Sequence, residues 1–388
     1  MVDDLGSGTD ATATLEGARA WALDAARPAR PTPRPSFGSA ADLARQGWAA
    51  VGILRAEWRT RRAVRPGLGQ RLACLRRGFN TRSLMSYGAE LPPAPGLYVS
   101  DWHEAALSKR PNRAYSLMLD DKLLFWLAVG RLTPRLAPLL GYLRAGWFYS
   151  LTGDGADKPV ADLLRALPGT IVIKPVRGTL GRGIQIVAPA PDGLRVNGKP
   201  MSAGALAPLL GNQTFVVAPW IEQAGYSRTI FPGSLNSVRV MTLTDPESGE
   251  PFIPFAVHRF GADCTAPFDG FPNGGVIAPI EVGTGRLGTV VRFRQGEGRR
   301  LLDAHPDTGA PMTGVAIPGW QAICSELLAL AARMPFLPYV GWDVVVTDDG
   351  FLINEGNSRP SLRVLQAAGG PLLRDDRVRR FYQFWGVI

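Results

Sequence analysis

Apolar residues in this chain cluster in short, β-branched runs broken by Gly, Pro and Asp, and only a few segments keep a helical period. Strands are expected at 170–176, 183–187 and 214–217. Beyond Asn236 the runs SVRVMTLT, FIPFAVHRF, VIAPIEV and TVVRF continue the strand pattern. Helices are expected where Asp120 can cap the apolar run LLFWLAV, near 202–210, and over 319–334. The stretch between the first helix and the first strand looks loop-rich. Strands and helices are mixed rather than strictly alternating, which predicts an α+β fold.

The most informative run is GWDVVVTDDGFLINEGNSRP, residues 341–360. It reads as a β-hairpin whose loop is Asp348-Asp349-Gly350, with Thr347 facing Phe351 and Asp343 facing Glu355. Side chains alternate along a strand, so Glu355, Asn357 and Arg359 are expected on the side of Asp343. Like charges placed directly opposite are destabilising. A divalent cation reverses that sign, and oxygen ligands of this kind suit Mg²⁺. The competing reading is a solvated acidic hairpin.

A second constellation is TIVIKPVRGTLGRGIQIV, residues 170–187. Lys174 interrupts an apolar run, and burying an ammonium is costly unless an anion pairs with it. Gly178, Gly181 and Gly183 follow, with Thr179 between them; such a loop presents backbone N–H groups to phosphate oxygens. The loop returns into a strand rather than opening a helix, so neither a P-loop nor a dinucleotide fingerprint fits. A hairpin flap folding over phosphates does. The competing reading is a glycine-rich hairpin with an exposed lysine. A phosphate clamp and an oxygen-ligand metal site in one chain point to nucleotide triphosphate chemistry.

Composition adds charge. The net charge is +10, carried almost wholly by arginine, with only five lysines. Such a balance attracts nucleotides, acidic substrates or anionic lipid. The three cysteines show no paired spacing, so no disulfide framework is implied and a reducing, cytoplasmic setting is expected. No signal segment or membrane span is visible. Residues 1–40 read as a weakly ordered, Pro-rich tail with a short helix around 13–26, and 41–118 as a helical, arginine-rich region. Its arginines suit an acidic partner or an anionic membrane surface, or form an ordinary solvated helix face. No nucleic-acid module accompanies them, and no nucleic-acid partner is expected.

In order along the chain, DDKLLFW, the lysine–glycine hairpin, SLNSVRVMTL, HRFGADCTAPFDGFPNGGVIAPIE, HPDTG and the acidic hairpin resemble the ATP-grasp superfamily, specifically its sugar-transfer-associated branch. The resemblance implies an ATP-grasp fold in which two α+β subdomains, 119–222 and 223–388, clamp the nucleotide. It implies ATP and Mg²⁺ as cofactors. Lys122 and Lys174 match the phosphate lysines; Gly178, Thr179, Gly181 and Gly183 match the flap; Asp343, Glu355 and Asn357 match the Mg²⁺ ligands. Arg359, Arg239 and Arg259 match or suit contacts to substrate, phosphate or acyl phosphate. At the adenine hinge the superfamily usually carries Gln or Glu after the strand. Here Ala218 and Pro219 stand there, leaving the backbone of Trp220 and Ile221 and the side chain of Glu222 for the nucleotide.

The activity this implies is an ATP-dependent carboxylate–amine ligase of the glutamate-ligase type. It would join a small-molecule acid to an amine through an acyl phosphate, in glycoconjugate or cell-surface polysaccharide modification. A kinase acting on a hydroxyl and a non-catalytic nucleotide-binding scaffold stay open as alternatives. Of the three histidines, His258 and His305 read more readily as structural than as functional, and no hydrolase arrangement is apparent. Neither substrate identity nor oligomeric state is legible.

Overall fold

Two antiparallel sheets organise the chain. A computed structural model describes residues 67–88, 95–107, 110–112, 115–153, 155–167, 169–178, 181–211, 213–294 and 297–388, together with 47 and 51–55. The Pro-rich tail, the helix expected around 13–26 and most of the arginine-rich run at 55–65 lie outside the described residues.

After the helical residues 51–55 come three helices, α1 (Leu68–Arg76), α2 (Thr81–Tyr87) and α3 (Asp101–Leu107). A short α4 (Ser116–Asp120) then runs directly into α5 (Lys122–Val129). The cap of α5 is Asp121, not Asp120: its carboxylate accepts from the backbone N–H of Leu123 and Leu124. Asp120 instead ends α4 and accepts from the Ser358 hydroxyl at 2.6 Å.

The first sheet holds eight strands in the order β3-β2-β1-β8-β4-β5-β6-β7. They are β1 (Gly141–Arg144), β2 (Trp147–Ser150), β3 (Lys158–Pro159), β4 (Ile171–Pro175), β5 (Gln185–Ala190), β6 (Gly193–Val196), β7 (Lys199–Met201) and β8 (Phe215–Pro219). Helices α6 (Val160–Arg165) and α7 (Ala203–Leu210) belong to this unit. The β1–β2 hairpin falls where the sequence looked loop-rich. Its turn is Ala145-Gly146, both at positive φ, which suits the right-handed twist of a tight hairpin. Ile171 and Ile173 of β4 join the core under α6 and α7. The strand period of two therefore turns Val172 and Lys174 to the opposite face.

The second sheet has seven strands, ordered β13-β12-β11-β10-β9-β14-β15. They are β9 (Ser237–Thr244), β10 (Pro251–Phe260), β11 (Val276–Pro279), β12 (Val290–Arg294), β13 (Gly298–Leu302), β14 (Tyr339–Thr347) and β15 (Gly350–Asn357). Between the sheets runs α8 (Gly225–Ile230); later come α9 (Trp320–Arg333), α10 (Leu362–Gly369) and α11 (Asp376–Phe384). Val238, Val240, Phe260, Trp342 and Val344 on one face share a core with α9 and with Phe125 of α5. Met241, Leu243, Val257 and Tyr339 on the other face pack against α10 and α11. Fully burying each such side chain stabilises by roughly 1.5–3 kcal/mol.

The N-terminal helices are fastened to this second sheet. The Gln366 amide of α10 accepts from the Val99 N–H at 2.8 Å and donates to the Val99 carbonyl at 3.0 Å. Asn112 does the same for the backbone of Tyr339. Among the described residues, no helix is long and apolar enough to cross a membrane.

Candidate functional site

The acidic hairpin is β14–β15, and Asp343 pairs with Glu355. The route to that register differs from the sequence reading. Thr347 faces Gly350, so the turn holds two residues, Asp348 and Asp349, rather than three. One extra residue, Asn354, then bulges out of β15 between Ile353 and Glu355. The shorter turn shifts the register by one place and the bulge shifts it back. The bulge also gives Asn354 a direction that regular alternation would deny it.

Asp343 is almost fully buried, and two arginines meet it. Arg239, its cross-strand neighbour on β9, grips both carboxylate oxygens through Nε and Nη2, the latter at 2.8 Å. Its Nη1 donates to the Pro360 carbonyl at 2.8 Å. Arg259 on β10 brings Nη2 to within 3.0 Å of Asp343 Oδ2. Burial disfavours the Asp343 charge, yet the two guanidiniums outweigh it and hold the carboxyl well below the usual carboxylate range. Arg259 is itself kept charged: burial opposes this, while Asp269, Asp343 and Glu355 outweigh the burial. Asp269 stands 3.3 Å from Arg259 Nε and accepts from the Ser237 hydroxyl.

Asn357 turns its amide nitrogen toward the Gly341 carbonyl at 3.3 Å and Asp343 Oδ2 at 3.5 Å. Its amide oxygen, an acceptor with two lone pairs, is thereby left for another donor or a cation. Glu355 faces Asp343 across the ladder and keeps 24% of its side chain exposed. Two carboxylates and one amide oxygen form a hard-oxygen set that fits Mg²⁺. Among the described residues no cluster of three or more His, Cys, Asp and Glu could hold a metal, so any softer, nitrogen- or sulfur-rich centre has no match there.

Two lysines reach this set, one from α5 and one from the first sheet. Lys122 opens α5; its N–H donates to the Val176 carbonyl at 2.9 Å, tying the helix to the end of β4. Its Nζ lies 3.5 Å from Glu355 Oε2 and 3.3 Å from the Gly178 carbonyl. Gly356 permits this approach. A Cβ there would stand 2.7 Å from Phe125 and 2.8 Å from Leu119, so only glycine lets α4 and α5 lie on β15. Lys174 projects from the face of β4 opposite that of Ile171 and Ile173 and donates to Asn354 Oδ1 at 3.0 Å. Burial lowers the pKa of its ammonium, with Lys122 adding to this and Glu355 and Asp343 opposing it.

The flap follows Lys174. Gly178 and Gly183 are exposed, and Gly181 and Gly183 have φ of 70° and 76°, a region that side-chain-bearing residues avoid. Thr179 lies outside the described residues. At the hinge, β8 ends in Ala218-Pro219; the Trp220 N–H donates to the Thr170 carbonyl, Ile221 is buried beside Ala137 and Val345, and Glu222 is exposed. Arg359 is exposed two residues beyond Asn357. The cleft therefore brings Lys122, Lys174, Asp343, Glu355, Asn357, Arg239 and Arg259 together.

A family model described as sugar-transfer associated ATP-grasp matches residues 106–381. The chain belongs to the sugar-transfer-associated ATP-grasp family. A search of curated proteins returned no match. Similar solved structures include D-alanine–D-alanine ligase from Helicobacter pylori (12% identity over 75% of this chain and 70% of that one, TM-score 0.40). Another is the same ligase from Bacillus anthracis (12%, 69% and 68%, TM-score 0.36). A third is the ADP complex of an N5-carboxyaminoimidazole ribonucleotide synthetase (13%, 62% and 45%, TM-score 0.35). The match thus spans less than half of the synthetase.

In this ATP-grasp chain both well-placed histidines are structural. His258 Nδ1 donates to the Arg259 carbonyl, which leaves Nε2 to accept from the Tyr226 hydroxyl at 2.8 Å; burial lowers its pKa to about 3. His305 is buried, with Nε2 2.8 Å from the Gly261 carbonyl. Sequence reasoning missed Asn354, Ser237, Asp269 and Glu104. Glu104 of α3 accepts from the Leu362 N–H at the start of α10, and burial together with Asp101 raises its pKa to about 7. Asn354 was legible only as a neighbour of Glu355, because a bulge leaves no periodic signal. Asp269 sits in an irregular loop where spacing carries no direction.

Proposed function

We propose that this protein is an ATP-dependent carboxylate–amine ligase that activates its acid as an acyl phosphate. One observation carries the reading: Lys122 and Lys174 converge on Glu355 and its bulged neighbour Asn354, which supports cations for phosphate beside oxygen ligands for a metal. Lys122 and Lys174 hold the nucleotide phosphates. The glycines Gly178, Gly181 and Gly183 let the flap fold over them and exclude water, which protects an acyl phosphate from hydrolysis. The backbone of Trp220 and Ile221 receives adenine, with Glu222 toward the sugar. Residues 119–222 and 223–388 act as the two jaws.

Asp343, Glu355 and Asn357 would hold Mg²⁺, which when bound supplies positive charge to the β- and γ-phosphate oxygens. Arg239 holds Asp343 in place, because its nitrogens are already engaged by Asp343 and Pro360. Arg359 steadies the carboxylate and the developing acyl phosphate by paired N–H donation, and Arg259, whose Nε and Nη2 already serve Ser237, Asp269 and Asp343, adds positive charge beside them. The family's association with sugar transfer points to an acid or amine borne on a glycoconjugate.

Calorimetric titration of MgATP tests the nucleotide site. Binding that needs Mg²⁺ and is lost in Glu355→Gln supports it, whereas retained binding in the variant removes the metal assignment. A panel of carboxylic acids with MgATP and hydroxylamine tests the chemistry. Acid-dependent hydroxamate and ADP support the ligase; ADP release with phosphate left on a hydroxyl acceptor would replace it with a kinase.

A further inference from the structure

The polar row on the cleft face of the second sheet continues past the oxygen ligands. From β15 inward it reads Glu355, Asp343 and Arg239, each opposite the next. It then passes to Ser237 and Arg259, which face each other across β9 and β10. It ends on Asp269, in the loop that follows β10. Lys122 and Lys174 both stand at the β15 end. Asp269 therefore lies across Asp343 from the phosphate lysines, where the group that attacks an activated acid would have to stand.

Asp269 is held but not used up. Its Oδ2 accepts from the Ser237 hydroxyl and lies 3.3 Å from Arg259 Nε. Its Oδ1 takes no hydrogen bond among the described residues, and the side chain keeps 20% exposure. The preceding residue, Phe268, lies beside the flap: a Cβ built on Gly181 would meet its ring at 3.4 Å.

On the ligase reading above, we propose that Asp269 is the acceptor-side residue: it receives the amine substrate as an ammonium on Oδ1 and accepts its proton. The ammonium gives one proton to the carboxylate, and the freed nitrogen lone pair attacks the acyl carbon. The C–N bond forms as the bond from that carbon to the phosphate oxygen breaks, and inorganic phosphate leaves with the second proton, which the nitrogen sheds on becoming an amide. The surroundings suit this role. Burial raises the Asp269 carboxyl above its usual range and Asp343 adds to that, while Arg259, Ser237 and Arg239 pull the other way without reversing it. A carboxylate made more basic is a better proton acceptor near neutral pH.

Nucleophile basicity tests the assignment. Hydroxylamine is largely neutral at pH 7 and needs no base, whereas ethanolamine arrives as an ammonium and does. The acid that yields hydroxamate with the wild type is supplied with MgATP and either nucleophile. Asp269→Asn is expected to lose about 100-fold more of the ethanolamine rate than of the hydroxylamine rate. Asp269→Ser, which keeps a hydroxyl toward Ser237 and Arg259, repeats the readout if the first variant folds poorly; calorimetry with MgATP verifies the fold of each. Ser237→Ala loosens the loop but keeps the carboxylate, and lowers both rates together. Equal loss with both nucleophiles in the Asp269 variants overturns the proposal and leaves Asp269 as a prop for Arg259. A wild type that takes hydroxylamine but no primary amine overturns it as well. A wild type that forms hydroxamate with no acid removes the ligase reading itself, and the acceptor role with it.

Discussion

The ammonium of Lys174 donates to the side-chain oxygen of Asn354 at 3.0 Å, joining the first sheet to the bulge of the second across 180 positions of sequence. The contact holds a cation over the place where phosphates are expected while satisfying only one of its three donors. Lys174→Ala is expected to weaken MgATP binding at least 10-fold by calorimetry. Asn354→Ala, which frees the lysine without removing its charge, should cost far less. Equal losses would mean that Asn354 does more than position the lysine.

Arg239 and Asp343 form a buried pair, with 8% and 3% of their side chains exposed. Removing one partner leaves an uncompensated charge, so Arg239→Ala is expected to destabilise by about 3–5 kcal/mol in denaturant unfolding. Arg259 can repair only part of this, since it already serves Asp269. A loss below about 1 kcal/mol would show that Arg259 or water replaces the guanidinium.

Gly356→Ala places a methyl group against Phe125 and Leu119. Overpacking of this kind costs about 1–3 kcal/mol. Because α5 carries Lys122, pushing it off β15 should also weaken MgATP binding. Unchanged affinity with reduced stability would show that Lys122 is not held by this contact.

Glu104 makes a pH prediction. Its folded-state carboxyl titrates near 7 against an ordinary value of 4.5. Between these values the folded state holds the proton and the unfolded state does not, so this group's contribution is complete below 4.5 and is lost as pH rises through 7. His258 works in the opposite sense: its folded value is near 3 against 6.5, so its contribution is lost as pH falls below 6.5. Asp101, also raised by burial, and Arg363 and Arg359 share the Glu104 environment. Glu104→Gln should therefore gain stability relative to wild type between pH 5 and 7.5, by at most about 3 kcal/mol. Parallel unfolding curves at both pH values would refute the shift.

What the sequence alone determined is local. Period-two alternation and β-branched runs placed Asp343 opposite Glu355, put Asn357 beyond it and marked a glycine loop returning into a strand. These follow from backbone geometry within a few residues. The same logic misjudged the turn length, because a two-residue turn with one bulge and a three-residue turn without one yield the same pairing at Asp343. It also gave the α5 cap to Asp120 rather than Asp121, since adjacent aspartates look alike until the helix chooses one. Tertiary structure decided the rest. The strand order set β9 beside β14 and so brought Arg239 to Asp343 across 104 positions. The same packing drew Asn354 to Lys174, Asp269 to Arg259 and Glu104 to the start of α10. Such pairings depend on which surfaces bury together, and short-range periodicity carries no record of that.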